Sequence, residues 1–465
     1  MNRLMVRNRL APGNRSAREG GPGGRGGRPP MEAIPRGSVP QRTEILVLGF
    51  GTSVAMWAIG YVSRMPPAWV PSWLLLLLLV GVLFTGGFLA GRLTGRGWKA
   101  GMMTGALAAV LNLLILGSLL TAQDQPNRIV PSALWWIPGS LLVAMLAGAG
   151  GAALGAAGRP VPRVNWTSWF VRVDLAATFL LLIVGGLVTS HRAGLAVVDW
   201  PNSFGYNMFL YPLSRMTGGI YYEHAHRLFG SLVGLTTLVL VLHLHRADPR
   251  VWLRRLALIA FVTVVIQGLL GGLRVTGTFT LSQSPDAMSP NLALAVVHGV
   301  LAQLFFAMLV AIAVFTSSAW VGAEPPAERT AASTDRSVSV LLVAVLLIQL
   351  ILGAIQRHFL GGLLVHITMA VLVFLIGLAA GLRAWGLYPD RPALRTVGKG
   401  LVFAVVLQVA LGIGALIGRG LEQEAAAIPT ISILLRTAHQ AMGAALLALA
   451  TMLVLWTRRE IAPAD

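Results

Sequence analysis

Four histidines of this chain are placed where their imidazoles could bind a metal. His226, His298, His366 and His439 each lie inside or at the edge of a long apolar segment. The sequence contains no cysteine, which excludes disulfides, iron–sulfur clusters and thiol nucleophiles and leaves histidine as the remaining strong transition-metal ligand. Four regularly placed imidazoles in apolar segments indicate buried metal.

A short repeat precedes three of these histidines. Three apolar segments carry a glutamine four residues before a glycine, and a histidine follows on the next segment. The copies are Gln267-Gly-Leu-Leu-Gly-Gly272 before His298, Gln349-Leu-Ile-Leu-Gly-Ala354 before His366, and Gln408-Val-Ala-Leu-Gly-Ile413 before His439. A diverged fourth copy has Gly185-Gly186 before His226, with Leu181 in place of the glutamine. The repeat predicts four helical hairpins, each with its histidine on the second helix.

The composition places these hairpins in a membrane. Hydrophobic residues make up 55% of the chain and charged residues only 11%, which is incompatible with the polar surface of a water-soluble domain. A helix needs roughly 20 apolar residues to cross a bilayer, and backbone groups in lipid must be bonded within the segment. The sequence therefore predicts about twelve transmembrane helices, near 45–63, 73–91, 100–121, 133–157, 170–190, 222–243, 254–273, 293–316, 337–356, 361–382, 398–418 and 433–456.

We therefore predict an all-α integral membrane protein. Its last eight helices would form two pseudosymmetric four-helix bundles, at residues 165–318 and 337–458, and each bundle would own two of the four histidines. Four additional helices, at 44–158, precede them and carry no evident catalytic group. Residues 1–43 contain nine arginines, two glutamates and a Gly/Pro-rich stretch, and are expected to form a disordered basic tail.

Arginine and lysine fix the expected orientation. They are concentrated in the tail and in alternate loops, and short loops rich in these residues stay on the cytoplasmic side. Both termini are therefore expected in the cytoplasm, with the protein in a bacterial cytoplasmic membrane; a mitochondrial inner membrane is the less favoured alternative. The net charge of +19 follows from this bias and suits anionic lipid headgroups. We expect lipids and not nucleic acid as partners, and leave a homo-oligomer open.

By this orientation all four histidines lie at a similar depth, toward the outer face. Two imidazoles that face each other across a bundle are the usual axial pair of a haem iron, and nearby glycines let a flat macrocycle approach the backbone. A single histidine near a membrane surface is more often an anchor, but four in register favour ligation. The other histidines fit the anchoring role: His191, His224, His243, His245 and His358.

Charged residues near the outer face are further candidates. Glu223 stands three residues before His226 and on the same helical face, where an ionisable group is a functional candidate by default; the alternative is a carboxylate that stabilises the first turn of a helix. Arg436 holds the equivalent place before His439. The four first helices end at arginines that could bind haem propionates or, equally, extend to the headgroups: Arg192, Arg274, Arg357 and Arg419.

Two sequence motifs that contain or adjoin these residues resemble those of a single family. The segments Gly-Leu-Ala-Val-Val-Asp199-Trp200-Pro201 and Glu223-x-x-His226-Arg227-x-x-Gly230 resemble those of haem A synthases of the CtaA/Cox15 family, and the other three histidine helices match as well. The resemblance covers about 165–458. Many members of the family have a cysteine pair in an outer loop, and this chain has no cysteine. A thiol-dependent step therefore cannot operate in this chain.

The resemblance implies a reaction and assigns roles. Haem O would enter the membrane site and the methyl group at ring position 8 would be oxidised to a formyl group, giving haem A for cytochrome oxidase. His226 and His298 would hold the substrate haem O, and Glu223 would take part in catalysis. His366 and His439 would ligate a haem b cofactor. The implied partners are the haem O synthase and an unidentified electron donor.

Two other functions are compatible with the residues. A di-haem b-type electron carrier would also use four histidines, but it would not need Glu223. A transporter with inverted repeats would explain the pseudosymmetry, but it would not need four aligned histidines.

Overall fold

The computed structural model of the chain describes residues 42–66, 70–122, 125–158, 164–276 and 291–464. Of the predicted tail, only Arg42 and Thr43 fall inside these ranges, so the expectation of disorder lies outside the described residues.

Helices account for 81% of the described chain. In chain order they are α1 (Thr43–Arg64), α2 (Ser72–Thr94), α3 (Trp98–Leu119), α4 (Ala133–Ala156), α5 (Trp166–Ser190), α6 (Gly218–Ala247), α7 (Val251–Thr276), α8 (Leu292–Thr316), α9 (Ser318–Val321), α10 (Ala332–Phe359), α11 (Leu363–Gly386), α12 (Pro392–Glu424) and α13 (Thr430–Glu460). Within the described ranges, all of these except the short α9 are long and apolar enough to cross a membrane. The prediction of an all-α integral membrane protein with twelve spanning segments is confirmed.

Several helices are longer than their apolar segments. The segment predicted at 398–418 is part of a helix that begins at Pro392 and ends at Glu424. Hydropathy marks only the part that lies in hydrocarbon, whereas the backbone hydrogen bonds continue past it. Asn165 and Asn291 cap two of the helices, α5 and α8, by accepting hydrogen bonds from Ser168 N at 3.1 Å and Leu294 N at 3.0 Å.

The last eight spanning helices pack as two groups with separate cores. Helices α5 to α8 share one hydrophobic core, and α10 to α13 share another. The two groups meet where α13 contacts α5 and α8, and where α10 contacts α8. The two groups are called the N-terminal half and the C-terminal half below.

The first four helices join the N-terminal half through α1. Phe50 and Trp57 of α1 pack on Phe170 of α5 and Phe229 of α6, with ring centroids 5.6 Å and 5.5 Å apart. These α1 residues belong to the same core as α5 to α8. The additional helices are therefore packed into the protein and do not merely precede it.

Two short sheets lie outside the helices, where the sequence predicted none. Strand β1 (Asn202–Ser203) pairs antiparallel with β2 (Tyr206–Asn207) in the loop between α5 and α6. Strand β3 (Ala327–Arg329) pairs in parallel with β4 (Ile461–Pro463) near the end of α13. The first sheet shapes the loop that covers the N-terminal half.

Candidate functional site

The four predicted histidines come together as two pairs, one in each half. The imidazoles of His226 on α6 and His298 on α8 have centroids 6.3 Å apart and planes at 76°. Those of His366 on α11 and His439 on α13 have centroids 6.4 Å apart and planes at 81°. The two halves therefore build nearly the same arrangement from different helices.

The spacing within each pair leaves room for one metal atom. An imidazole nitrogen binds a transition metal at about 2 Å, and the ring centroid lies about 1 Å behind that nitrogen, so two imidazoles on one metal have centroids about 6 Å apart. Within the described ranges, no group of three or more histidine or acidic side chains could hold a metal ion alone. Two axial nitrogens suit an iron that brings four equatorial nitrogens with it, as in haem.

A glycine from the first helix of each hairpin lies against each imidazole. A Cβ atom at Gly185, Gly353 or Gly412 would lie 3.0 Å from Cε1 of its histidine, tighter than ordinary packing, and one at Gly271 would lie 3.6 Å away. The partners are His226, His366, His439 and His298, respectively. The recurring glycine of the repeat therefore lets each imidazole pack directly on the neighbouring backbone.

Three of the imidazoles keep a nitrogen without a partner. In the part of the chain that the structure describes, the buried Nδ1 atoms of His226, His298 and His439 have no hydrogen-bond partner. Buried polar atoms are rarely left unpaired in native proteins unless a functional group completes them. With the ring spacing and the glycines, these atoms show a donor set that fits a haem in each half.

The glutamine of the repeat bonds the histidine helix. Gln267 Nε2 donates to the backbone oxygen of His298, and Gln349 Nε2 donates to that of His366, both at 3.1 Å. Leu181 occupies the equivalent position beside His226 and has no such donor. His226 therefore differs from at least two of the other histidines in its support.

Glu223 is buried, and both of its oxygens accept hydrogen bonds. Oε2 accepts from Val197 N at 2.9 Å, and Oε1 accepts from Arg227 Nη2 at 2.9 Å. Arg227 also donates to the backbone oxygens of Val197, Asp199 and Asn202 at 2.8, 2.7 and 3.0 Å. The carboxylate thus holds the loop between α5 and α6, a contact that helical spacing could not predict.

Trp200 of this loop reaches α7 on the opposite side. Its indole lies directly on Gly272, where any side chain would overlap the ring. The preceding Gly271 is the residue beside His298. In the sequence, Trp200 was notable only as part of the family motif. The glycine at position 272, which follows Gly271, was the available sign that a bulky group packs there.

The four arginines predicted near propionates have different surroundings. Arg357 is bonded across to α5, with Nη2 donating to Gly186 O at 3.0 Å and to Ser190 Oγ at 2.9 Å. Arg274 lies against Gly194, and its buried Nε has no partner among the described residues. Arg192 is exposed and pairs with Glu422 at 3.3 Å, and Arg419 is half-buried. The propionate roles stay predictions.

Two further histidines, His224 and His191, have partners of their own. His224 Nδ1 is 3.1 Å from Ser203 Oγ, so this ring is engaged with the loop. His191 stacks on Tyr222 with centroids 3.7 Å apart. Burial lowers the pKa of His191, and the positive charge of Arg436 lowers it further. Neither ring belongs to the two facing pairs.

Comparison with known proteins agrees with this geometry. Residues 168–366 match the sequence model of the COX15-CtaA family, described as cytochrome oxidase assembly protein. The match contains three of the paired histidines, and His439 lies beyond it. No curated protein matches the chain. Over these residues, the chain is similar to the COX15-CtaA family of cytochrome oxidase assembly proteins.

Proposed function

We propose that the protein is a haem A synthase, which oxidises the C8 methyl group of haem O to a formyl group. The observation that carries the proposal is the pair of facing imidazoles in each half, at 6.3 Å and 6.4 Å, within a cytochrome oxidase assembly family. Haem A made here would serve cytochrome oxidase. An oxidoreductase of this kind needs one haem site for the substrate and one for electron transfer.

We assign substrate haem O to His226 and His298, and haem b to His366 and His439. A long loop, residues 191–217, covers the outer end of the N-terminal half, whereas the C-terminal hairpins are joined by residues 360–362 and 425–429 alone. A covered site excludes water from a reactive centre. The absence of the glutamine beside His226 also suits a haem that must enter and leave.

Each group in the N-terminal half then has a task. A bound haem iron supplies the redox chemistry. His226 and His298 hold and orient the substrate, and the glycines beside them admit the imidazoles. Glu223, three residues before His226, binds the covering loop. With water as the oxygen source, the methyl group loses two electrons and two protons to become the alcohol. The alcohol then loses two more electrons and two protons to become the formyl group, and a separate acceptor takes the electrons of both steps. The site therefore has to retain the alcohol between the two steps.

The multi-pass fold supports sites that lie within a membrane. Twelve crossings among the described residues would put both termini on one side, and the arginine distribution favours the cytoplasm. We propose a bacterial cytoplasmic membrane, haem O delivered by its synthase, and electrons exchanged with a separate donor or acceptor at the haem b half.

A di-haem b-type electron carrier is the second candidate. Such a carrier would have two haem sites of nearly the same geometry, as the two histidine pairs have here.

The experiment is expression of the full chain in a host that makes haem O but no haem A, followed by chromatography and mass analysis of the extracted haems. Haem A or its alcohol precursor supports the synthase. Haem b alone, with haem O available, rejects it in favour of the carrier.

Two variants locate the haems within the same experiment. His366→Ala should lose haem b, because one axial ligand of the C-terminal pair is gone. His226→Ala should retain haem b and lose haem A. Loss of haem b from His226→Ala, with haem b retained in His366→Ala, would reverse the assignment of the halves.

A further inference from the structure

The loop over the N-terminal half is bound to α6 by one acid–base pair. Glu223 accepts from the backbone nitrogen of Val197, while Arg227 donates to the backbone oxygens of Val197, Asp199 and Asn202. The side chains of Glu223 and Arg227 are 6% and 9% exposed, so these bonds are shielded from water. Charge-assisted bonds of this kind are about twice as strong as neutral ones.

A second set of bonds gives the loop its shape. The Asp199 carboxylate accepts from Phe204 N at 2.6 Å and Gly205 N at 2.9 Å. Phe204 has φ of 51° and Gly205 has φ of 76°, so both lie in the left-handed region. A side chain there costs roughly 1–2 kcal/mol, and Asp199 offsets this by bonding both residues of the turn.

The bound loop positions one large side chain, that of Trp200, beside the site. Trp200 follows Asp199, and its indole packs directly against Gly272, one residue from the glycine beside His298. Trp200 therefore connects the loop, which is fixed to the His226 helix, with α7, which packs on the His298 helix. It bridges the two walls of the N-terminal half near their outer end.

The C-terminal half also contains an acid–base pair, but that pair does not bond the backbone of a loop as Glu223 and Arg227 do. Arg436 stands three residues before His439, as Glu223 does before His226, and it pairs with Glu422 at 3.0 Å. Arg436 also donates to the backbone oxygen of Ser190 at 2.9 Å, which lies at the end of α5. The pair therefore joins the two halves, and Glu422 reaches the covering loop only at its start, where it also pairs with the exposed Arg192.

We propose that Glu223 and Arg227 are positioning residues that, with Asp199, lock Trp200 across the His226–His298 site and close its outer side. The inference rests on the proposed function for what the closed site contains. Glu223 then acts through the loop and does not itself carry a proton to the substrate. Closure keeps the alcohol product in place until it loses two electrons, to the separate acceptor, and two protons to become the formyl group.

The first test measures the loop alone, in the full chain without haem. Hydrogen exchange should be followed at the amides of Val197, Phe204 and Gly205. Glu223→Ala and Arg227→Lys should speed exchange at Val197 by roughly tenfold or more. The first removes the acceptor of Val197 N, and the three N–H donors of a lysine cannot replace the four bonds that Arg227 makes to Glu223 and three backbone oxygens. Asp390→Asn, which breaks the pair with Arg329 in the other half, should leave exchange at Val197 unchanged. Unchanged exchange in both loop variants would overturn the lock.

The second test measures products, and it separates positioning from proton transfer. Trp200→Ala, Arg227→Lys and Glu223→Ala should raise the ratio of alcohol to haem A, whereas a folding defect lowers both products together. Trp200→Phe should restore much of the wild-type ratio, because a ring again covers Gly272. Glu223→Gln keeps an acceptor for Val197 N but cannot carry a proton, so it should retain most haem A formation.

Two outcomes decide against the proposal or against its premise. If Glu223→Gln is as inactive as Glu223→Ala while exchange at Val197 stays slow, Glu223 acts on the substrate and the positioning role is wrong. If the wild-type chain forms neither product, the proposed function fails, while the exchange measurement still decides whether Glu223 and Arg227 lock the loop.

Discussion

At the scale of single residues, the site depends on contacts between imidazoles and backbone. Three histidines touch a glycine so closely that a methyl group would stand 3.0 Å from Cε1. The imidazole cannot move freely away from such a methyl group, because the facing imidazole and the expected iron hold its other edge. A methyl group added at the glycine should therefore shift the imidazole that is expected to bind the iron.

Gly353→Ala tests this transmission. The added methyl group should displace the imidazole of His366 by a few tenths of an ångström, and haem b affinity should fall roughly 10–100-fold, as for other changes beside a metal ligand. The measurement is haem b per polypeptide in purified protein. Gly386→Ala, at the end of α11 with no atom near the new methyl group, is the matched control. Equal haem b in the two variants would show that the contact is not limiting.

At the scale of elements, the hairpins are alike but not equivalent. Gln267 and Gln349 bond the backbone of the histidine helix that each faces, whereas Leu181 leaves His226 without this bond. The repeat, visible in the sequence, identifies the hairpin in which the support is missing. The difference is consistent with a substrate that exchanges in one half and a cofactor that stays in the other.

Reciprocal substitutions test that difference. Leu181→Gln should add a donor beside the backbone oxygen of His226 and slow the release of haem from the N-terminal half. Gln349→Leu should weaken haem b binding roughly tenfold or more, because the helix that carries His366 loses its partner. Release rates can be followed by transfer of haem to an excess of a haem-binding acceptor protein. Faster release from Leu181→Gln than from wild type would contradict the argument.

Much of this arrangement was predictable because it is local or periodic. Hydropathy indicates the twelve helices, and the spacing of glutamine, glycine and histidine indicates the hairpins and the four histidines that face each other in two pairs. The contact of Trp200 with Gly272 and the bond from Val197 to Glu223 were not predictable, because both depend on the path of a long loop in space. The cross-half bonds of Arg357 likewise require knowledge of how the halves pack.

At the scale of the whole molecule, α1 to α4 support the N-terminal half selectively. Trp57 of α1 is 3% exposed, packs on Phe229 at 5.5 Å, and donates from Nε1 to Asn112 Oδ1 on α3 at 3.0 Å. Asn127, from the loop after α3, accepts from Asn207 N of the covering loop at 2.6 Å. These contacts brace both the His226 helix and the loop above it.

Trp57→Ala should therefore affect one half of the protein more than the other. The lost indole should reduce stability by about 3–5 kcal/mol, and Trp57→Phe, which mainly loses the bond to Asn112, by about 0.5–1.5 kcal/mol. The damage should fall on the N-terminal half, because Phe229 lies three residues after His226 on α6. Unfolding in one detergent, followed by the spectra of the two haems, measures this. Haem b should remain bound after the N-terminal haem is lost; simultaneous loss of both would show that α1 to α4 stabilise the halves as one unit.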